Sequence, residues 1–168
     1  MERPFEGASP TVAESAFVSA QSALIGDVTV GESASIWPFV CCRGDDGAVV
    51  VGDETNVQEF TMLHGAGLGD GVTVGHGAVV DYASVGDDTL VGMQSAVLKG
   101  ATVGENCVVA ANAVVLQDQT VPDGHLAYGT PAETKPLTED QLEQISATRD
   151  HYVELATRHR DAVAADSE

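Results

Sequence analysis

The chain has 168 residues, enough for one domain with a sizeable core, and its 26 acidic against 7 basic side chains give a formal net charge of −19. That balance excludes nucleic acid and anionic membrane surfaces as partners, because both select positive protein surface. It fits a salt-adapted protein, since lysine occurs only at positions 99 and 135 and high ionic strength screens self-repulsion.

From the N-terminus, an aliphatic residue recurs every six positions at Val12, Val18, Leu24, Val30 and Ile36. Residues 41–50, containing RGDDG, interrupt the beat, which resumes at Val51, Val57 and Leu63. HGAG at 64–67 is a second interruption, before Leu68 and Val74, and from Val85 the spacing runs through Val91, Val97, Val103, Val109, Val115 and Val121. The fourth residue after each is usually small, as at Ala34, Thr55, Ser95, Cys107 and Ala113. A helix repeats apolar residues every three or four positions and an ordinary strand alternates briefly before a turn, so neither sustains a period of six. The period predicts a β-helix of hexapeptide repeats, with three flat strands in each coil of about 18 residues and coils stacked at ~4.8 Å. The aliphatic residue lies inside, the small one sits near a corner, and the two interruptions are expected to be loops on the flank.

After Val121 the beat stops at PDG, and GHLAYGTPAETKP leads out of the solenoid. Thr138 opens TEDQ, an N-capping box with Gln141 at the third helical position. Leu142, Ile145, Arg149, Tyr152, Leu155 or Ala156, and His159 follow at helical spacing. The expected organisation is a solenoid with flank loops over 1–137, a helix over 138–163 packed along it, and a frayed tail over 164–168. Cys41, Cys42 and Cys107 are odd in number and lack zinc-ligand spacing, so they read as small buried residues of a reducing compartment. No leader pattern opens the sequence and no apolar run approaches ~20 residues, so a cytoplasmic location is expected.

His64 and Asp81 are 17 residues apart, close to one coil, which places them on the same flank of adjacent coils, a ligand geometry. His76 and Asp81 are five apart. An extended chain puts up to ~16 Å between them, too far to chelate one ion from a flat strand. If a neighbouring chain supplied His76 against His64 and Asp81, three ligands would meet at a subunit boundary with positions open for water. The opposing reading is a solvent-facing histidine and an aspartate in the polar position of a hexad.

The segments GDVTVGESASIWPFVCCRGDDG, VGDETNVQEFTMLHG, VGHGAVVDYA, LVGMQSAVL and GTPAE, in this order over roughly residues 10–150, resemble the gamma-class carbonic anhydrases. SIW, RGD, NVQ, the histidine of LHG and the GH of VGHG together are specific to that class among hexapeptide proteins. The resemblance implies a left-handed parallel β-helix with a C-terminal α-helix, a homotrimer, and hydration of carbon dioxide to bicarbonate. It also implies a zinc-type ion held between subunits by three histidines, with His64 as the first ligand and His76, from the adjacent subunit, as the second. At the third ligand position the family's histidine is replaced by Asp81. A carboxylate can ligate zinc, but its charge lowers the metal's Lewis acidity and raises the pKa of bound water, which weakens hydration near neutral pH. Two histidines and a carboxylate also suit Fe2+, Co2+ or Mn2+ beside Zn2+.

By the same resemblance Glu59 replaces the family's interface aspartate and pairs with Arg43 across subunits through charge-assisted hydrogen bonds. Gln58 lies beside the hydroxide and orients it, with Asn56 in the same neighbourhood. Asp46 is the nearest substitute for the family's proton-shuttling acid. His125, His151 and His159 match no ligand and are expected at the surface or against the helix. Two alternatives stand beside this reading: a hexapeptide acyltransferase, since GTPAE is similar to the loop near coenzyme A in such enzymes, and a non-catalytic trimeric metal-binding or assembly protein, favoured by Asp81.

The charge imbalance has a direct consequence for stability. The melting temperature is expected to rise from dilute buffer to molar potassium chloride as screening relieves repulsion. A flat profile in a thermal melt series would remove the salt-adaptation reading.

Overall fold

An inward aliphatic residue at every sixth position leaves each coil only short, flat strands, and these pair with their equivalents one coil on. Asn56 pairs with Thr73 and Thr73 with Leu90, while Val80 lies between Leu63 and Val97, all in parallel register. The computed structural model describes residues 1–165, the last two by backbone alone, so most of the frayed tail expected at 164–168 lies outside the described residues. The chain winds into a left-handed parallel β-solenoid of about seven turns with one C-terminal helix. Stacked Leu24, Ile36, Leu63, Val74, Val80, Val97 and Val115 fill the interior and are fully buried. Each contributes about 1.5–3 kcal/mol over exposure.

Left-handed winding turns the backbone through positive φ at the corners, and these residues stack in columns. One column runs Ser33, Glu54, Gly71, Asp88 and Asn106, a second Phe39, Phe60, Gly77, Gln94 and Asn112, and a third Gly65, Tyr82, Gly100 and Asp118. Asparagine, aspartate and glycine tolerate this conformation readily, whereas Phe39, Phe60 and Tyr82 hold it only because the coils above and below determine it.

The first interruption is not a loop. Residues Cys41–Val51 form one 11-residue strand beside Ala23–Val30, with Cys42 and Val49 fully buried and the register shifting between Gly26 and Val28. The extra residues of RGDDG bulge from a continuing ladder, so the backbone hydrogen bonds persist where the side-chain pattern fails. The second interruption is a corner: Met62–His64 and Gly67–Leu68 flank only Gly65 and Ala66. At that corner the step from Leu63 to Leu68 is five residues, as is that from buried Val80 to Val85, which shortens the coil to 17.

Part of the acidic surplus is structural. Asp53 Oδ1 accepts the Glu32 N–H at 2.7 Å, Asp70 Oδ1 the Asp53 N–H at 2.8 Å, and Asp87 Oδ1 the Asp70 N–H at 2.9 Å, forming a carboxylate ladder down one corner. Glycine precedes these acids for a steric reason, since a Cβ on Gly69 would lie 2.1 Å from Asp87 Oδ1.

At the C-terminal end His125–Tyr128 pairs antiparallel with the exposed strand Glu133–Pro136, which closes the last coil. The helix spans Glu139–Ala165 and begins with the expected capping box: Thr138 N–H donates to Gln141 Oε1 and the Gln141 N–H to Thr138 Oγ1. Ile145 and Ala156 are buried against the solenoid, Trp37 takes Tyr152 and His159 edge-on, and Arg149 pairs with Asp88. No described helix is long and apolar enough to cross a membrane.

Removing one rung of the carboxylate ladder tests its role. Asp70→Ala leaves the Asp53 N–H without its acceptor and is expected to lower the thermal midpoint by about 2–4 °C, with Asp70→Asn recovering most of the loss.

Candidate metal centre

Parallel register puts Arg43, His64 and Asp81 in one column on three successive strands, and the 17-residue coil sets the step from His64 to Asp81. His64 Nδ1 lies 2.8 Å from Asp81 Oδ1, and the two side chains are 16% and 38% exposed. Tyr82, at the corner after Asp81, packs its ring on His64 with centroids 4.5 Å apart and brings its hydroxyl to 3.2 Å from Nε2. The RGDDG bulge leans over this corner. Arg43 Nε donates to Asp45 at 2.8 and 3.0 Å, and Asp45 Oδ1 stands 3.9 Å from His64 Nε2. The hydrogen bond from Arg43 holds the Asp45 carboxyl below its ordinary range. Burial, then a hydrogen bond to Asp46, pushes the Tyr82 hydroxyl above the usual phenol value.

A second group gathers near the preceding corner. His76 Nδ1 lies 2.8 Å from Glu59 Oε2, with the imidazole 47% exposed. Gln58 and Asn56, both buried, alternate along the previous strand, where Gln58 Nε2 donates to Asn56 Oδ1 at 3.1 Å and Asn56 Nδ2 to Thr73 Oγ1 at 2.8 Å. A cleft of about 340 Å³ between helix and solenoid borders this group and is lined by Gln58, His76, Met93, Gln144 and Tyr152 among others.

The structure therefore brings His64 and Asp81 together and places His76 with Glu59 and Gln58 in a separate group. Among the described residues, no three histidine, cysteine, aspartate or glutamate side chains of one chain gather as a metal-binding set. The donor chemistry of the column fits a divalent ion: an imidazole nitrogen and a carboxylate oxygen face each other on adjacent coils, partly open to solvent. Arg43 is engaged within the chain by Asp45, and Glu59 by His76. Asp46 stands at Tyr82, a residue that sequence reasoning missed, as it missed Asp45. The signal for Tyr82 was a bulky residue at a corner where the neighbouring coils carry Gly65 and Gly100. His159 packs on Phe17 and Trp37, His151 on Tyr152, and His125 bonds the Asp123 carbonyl. All three cysteines are free, and burial pushes the Cys42 thiol up to about 12.

Fold comparison defines the class first. A hexapeptide transferase family protein from Anaplasma phagocytophilum superposes with a TM-score of 0.88 at 31% identity, covering 92% of this chain and 95% of that one. The six-repeat bacterial transferase hexapeptide family matches residues 82–117. Within that class, a carbonic anhydrase from Geobacillus kaustophilus is 38% identical over 157 residues, 90% of this chain and 86% of the relative. Mitochondrial gamma carbonic anhydrase 2 of Arabidopsis thaliana is 37% identical over 163 residues, and this chain spans 59% of its length. The chain belongs to the gamma carbonic anhydrase family.

The Arg43–Asp45 pair gives a prediction about pH. The depressed carboxyl contributes stability that is fully present above its unfolded value, ~3.9, and lost as pH falls through the lower folded value. In Arg43→Ala the Asp45 carboxyl is expected to return upward toward its ordinary value, read by carbon-13 carboxyl NMR through an acid titration.

Proposed function

We propose that this protein hydrates carbon dioxide to bicarbonate at a divalent metal site shared between the subunits of a homotrimer. The observation that carries the reading is the in-register pairing of His64 with Asp81, at the positions where the family places ligands. His64 and Asp81 of one subunit and His76 of a neighbouring copy would hold the ion, with Zn2+ first among the candidates and Fe2+, Co2+ and Mn2+ compatible with two histidines and a carboxylate. A divalent ion held there would supply Lewis acidity toward water, tempered by the charge of Asp81.

The remaining steps belong to the chain's own side chains. Donation from Gln58 Nε2 to Asn56, itself tied to Thr73, fixes the amide orientation and leaves Gln58 Oε1 as an acceptor that can orient the nucleophile's O–H. Carbon dioxide is small and apolar, and the cleft beside Gln58 and His76 offers Leu90, Val108 and Ala110 as apolar walls. Asp46, beside Tyr82 at the bulge, can carry the released proton to buffer. Arg43 and Glu59, each held within the chain, sit at positions from which they can also join subunits.

The trimer draws support from the corner between the two groups of site residues. Phe39 and Phe60 are 53% and 68% exposed there, stacked with centroids 5.2 Å apart, and Val79 and Met93 extend the apolar surface. Contiguous exposed apolar side chains of this kind mark contact surfaces. A subunit docked on this corner would bring its own half of the site to the missing half. The free cysteines, of which Cys42 and Cys107 are buried and Cys41 is half-buried rather than buried as its small size suggested, suit a reducing cytoplasm.

Metal-stripped protein reloaded separately with Zn2+, Fe2+, Co2+ and Mn2+, assayed for hydration and sedimented at working salt, tests the proposal. Activity with none of the four, or a metal-loaded monomer, would refute it, and coenzyme A binding in place of hydration would favour acyl transfer. Asp81→Ala is expected to lower metal affinity by about 100-fold or more, because a direct ligand matters at least as much as the groups that orient it. Asp81→His removes a negative charge from the ion's surroundings and is expected to raise activity and shift the pH–rate profile toward acid.

A further inference from the structure

Arg149 takes no part in the chemistry described above, yet it is the one fixed positive charge on the stretch of helix that walls the cleft. From Thr138 to Thr157 the chain carries Glu139, Asp140, Glu143, Asp150 and Glu154, and Arg149 is its single arginine or lysine. This acidic helix lies along an acidic solenoid, so at long range the two surfaces repel each other. Among its described side chains only Ile145 and Ala156 are buried.

A corner of the solenoid receives the guanidinium. Glu54, Gly71 and Asp88 follow one another there on successive coils, all at positive φ, and the glycine leaves a gap between the two acids. The arginine stem enters that gap: a Cβ on Gly71 would lie 3.0 Å from Arg149 Cδ. Nη1 donates to Asp88 Oδ1 at 2.5 Å, Nε stands 3.9 Å from Glu54 Oε2, and Nη2 lies 2.9 Å from Asp150 on the helix itself. Gln144, Thr148 and Tyr152, one turn apart, form the helix wall of the cleft opposite Gln58 and His76. Arg149 is therefore fastened one residue past the middle of that wall.

We propose that Arg149 is an electrostatic latch, a positioning residue that holds the first half of the helix on the solenoid and so fixes the width of the cleft beside Gln58 and His76. The second half is held differently, by the packing of Tyr152 and His159 on Trp37, which salt does not screen. Charge attraction is screened, over ~10 Å at 0.1 M salt and ~3 Å at 1 M. The contribution of Arg149 is therefore greatest in dilute buffer, where the repulsion it offsets is also greatest. A role confined to packing of the stem over Gly71 would be the same at every salt concentration. The consequence for substrate entry rests on the carbon dioxide reading, whereas the latch itself does not.

Hydrogen exchange of the metal-free protein and of Arg149→Met, across a potassium chloride series, reads the latch without substrate. Methionine keeps an unbranched apolar stem in the gap and removes the charge. Amides of residues 141–151 are expected to exchange about fivefold faster in Arg149→Met in dilute buffer, with the difference shrinking at molar salt. Solenoid amides such as that of Val97 are expected to keep equal rates in the two proteins, and Arg149→Lys, which restores charge without the planar fork, to fall between them. A difference of the same size at every salt concentration, no difference at all, or an equal acceleration of the solenoid amides would each overturn the latch. In the hydration assay Arg149→Met is expected to raise KM with kcat kept, in dilute buffer only; an unchanged KM beside the exchange difference would overturn the link to the cleft. Unsubstituted protein that shows the exchange difference but hydrates no carbon dioxide would refute the proposed function while supporting the latch.

Discussion

Backbone pairing between equivalent residues of successive coils governs what this chain can place side by side. In a parallel ladder with no slippage, whatever stands at one position stands on its counterpart one coil later, so chemistry is written in columns. Shortening the coil to 17 residues at one corner brings Asp81 onto His64, in the column that Arg43 begins. An 18-residue coil there would have matched His64 with Tyr82 and turned the carboxylate away by one strand position. The geometry of the candidate centre is thus a property of the repeat length before it is a property of any side chain.

The same constraint explains which parts of the molecule could be read from sequence. The hexad beat was legible because aliphatic residues such as Val97 and Val115 are selected by the interior, and Asp81 stood out through the spacing from His64. The strand Cys41–Val51 was not legible, since its ladder continues through backbone groups while RGDDG offers none of the apolar alternation that marks a strand. Val80 was absent from the counted beat although it is fully buried, because the five-residue step that follows it moved the apparent phase. Tyr82 and Asp45 escaped notice for a further reason: their partners, His64 and Arg43, are reached through folding of the bulge over the corner, which no local pattern records.

Acidic residues in this chain carry two distinct loads. Asp53, Asp70 and Asp87 accept backbone N–H groups of the preceding coil and are tied to the winding itself. Others, such as Asp45, Asp46 and Asp81, cluster where the bulge meets the short corner and engage a guanidinium, a phenol and an imidazole. Net charge measures their sum and is blind to the division. Arg149 reaches from the helix to Asp88 at the ladder's corner and so anchors the helix beside Asp53, Asp70 and Asp87.

A parallel solenoid is by nature an open-ended template: each terminal coil presents unpaired N–H and C=O groups to any further strand, its own kind included. The reversal from His125–Tyr128 into Glu133–Pro136 changes the direction of the last strand, so an incoming coil cannot continue the winding. Pro136 lacks a donor, and Glu133 and Lys135 place opposite charges along the exposed strand. Growth by end-to-end addition is thereby discouraged, leaving lateral association through the flanks as the route by which copies of this chain can meet without becoming a fibre.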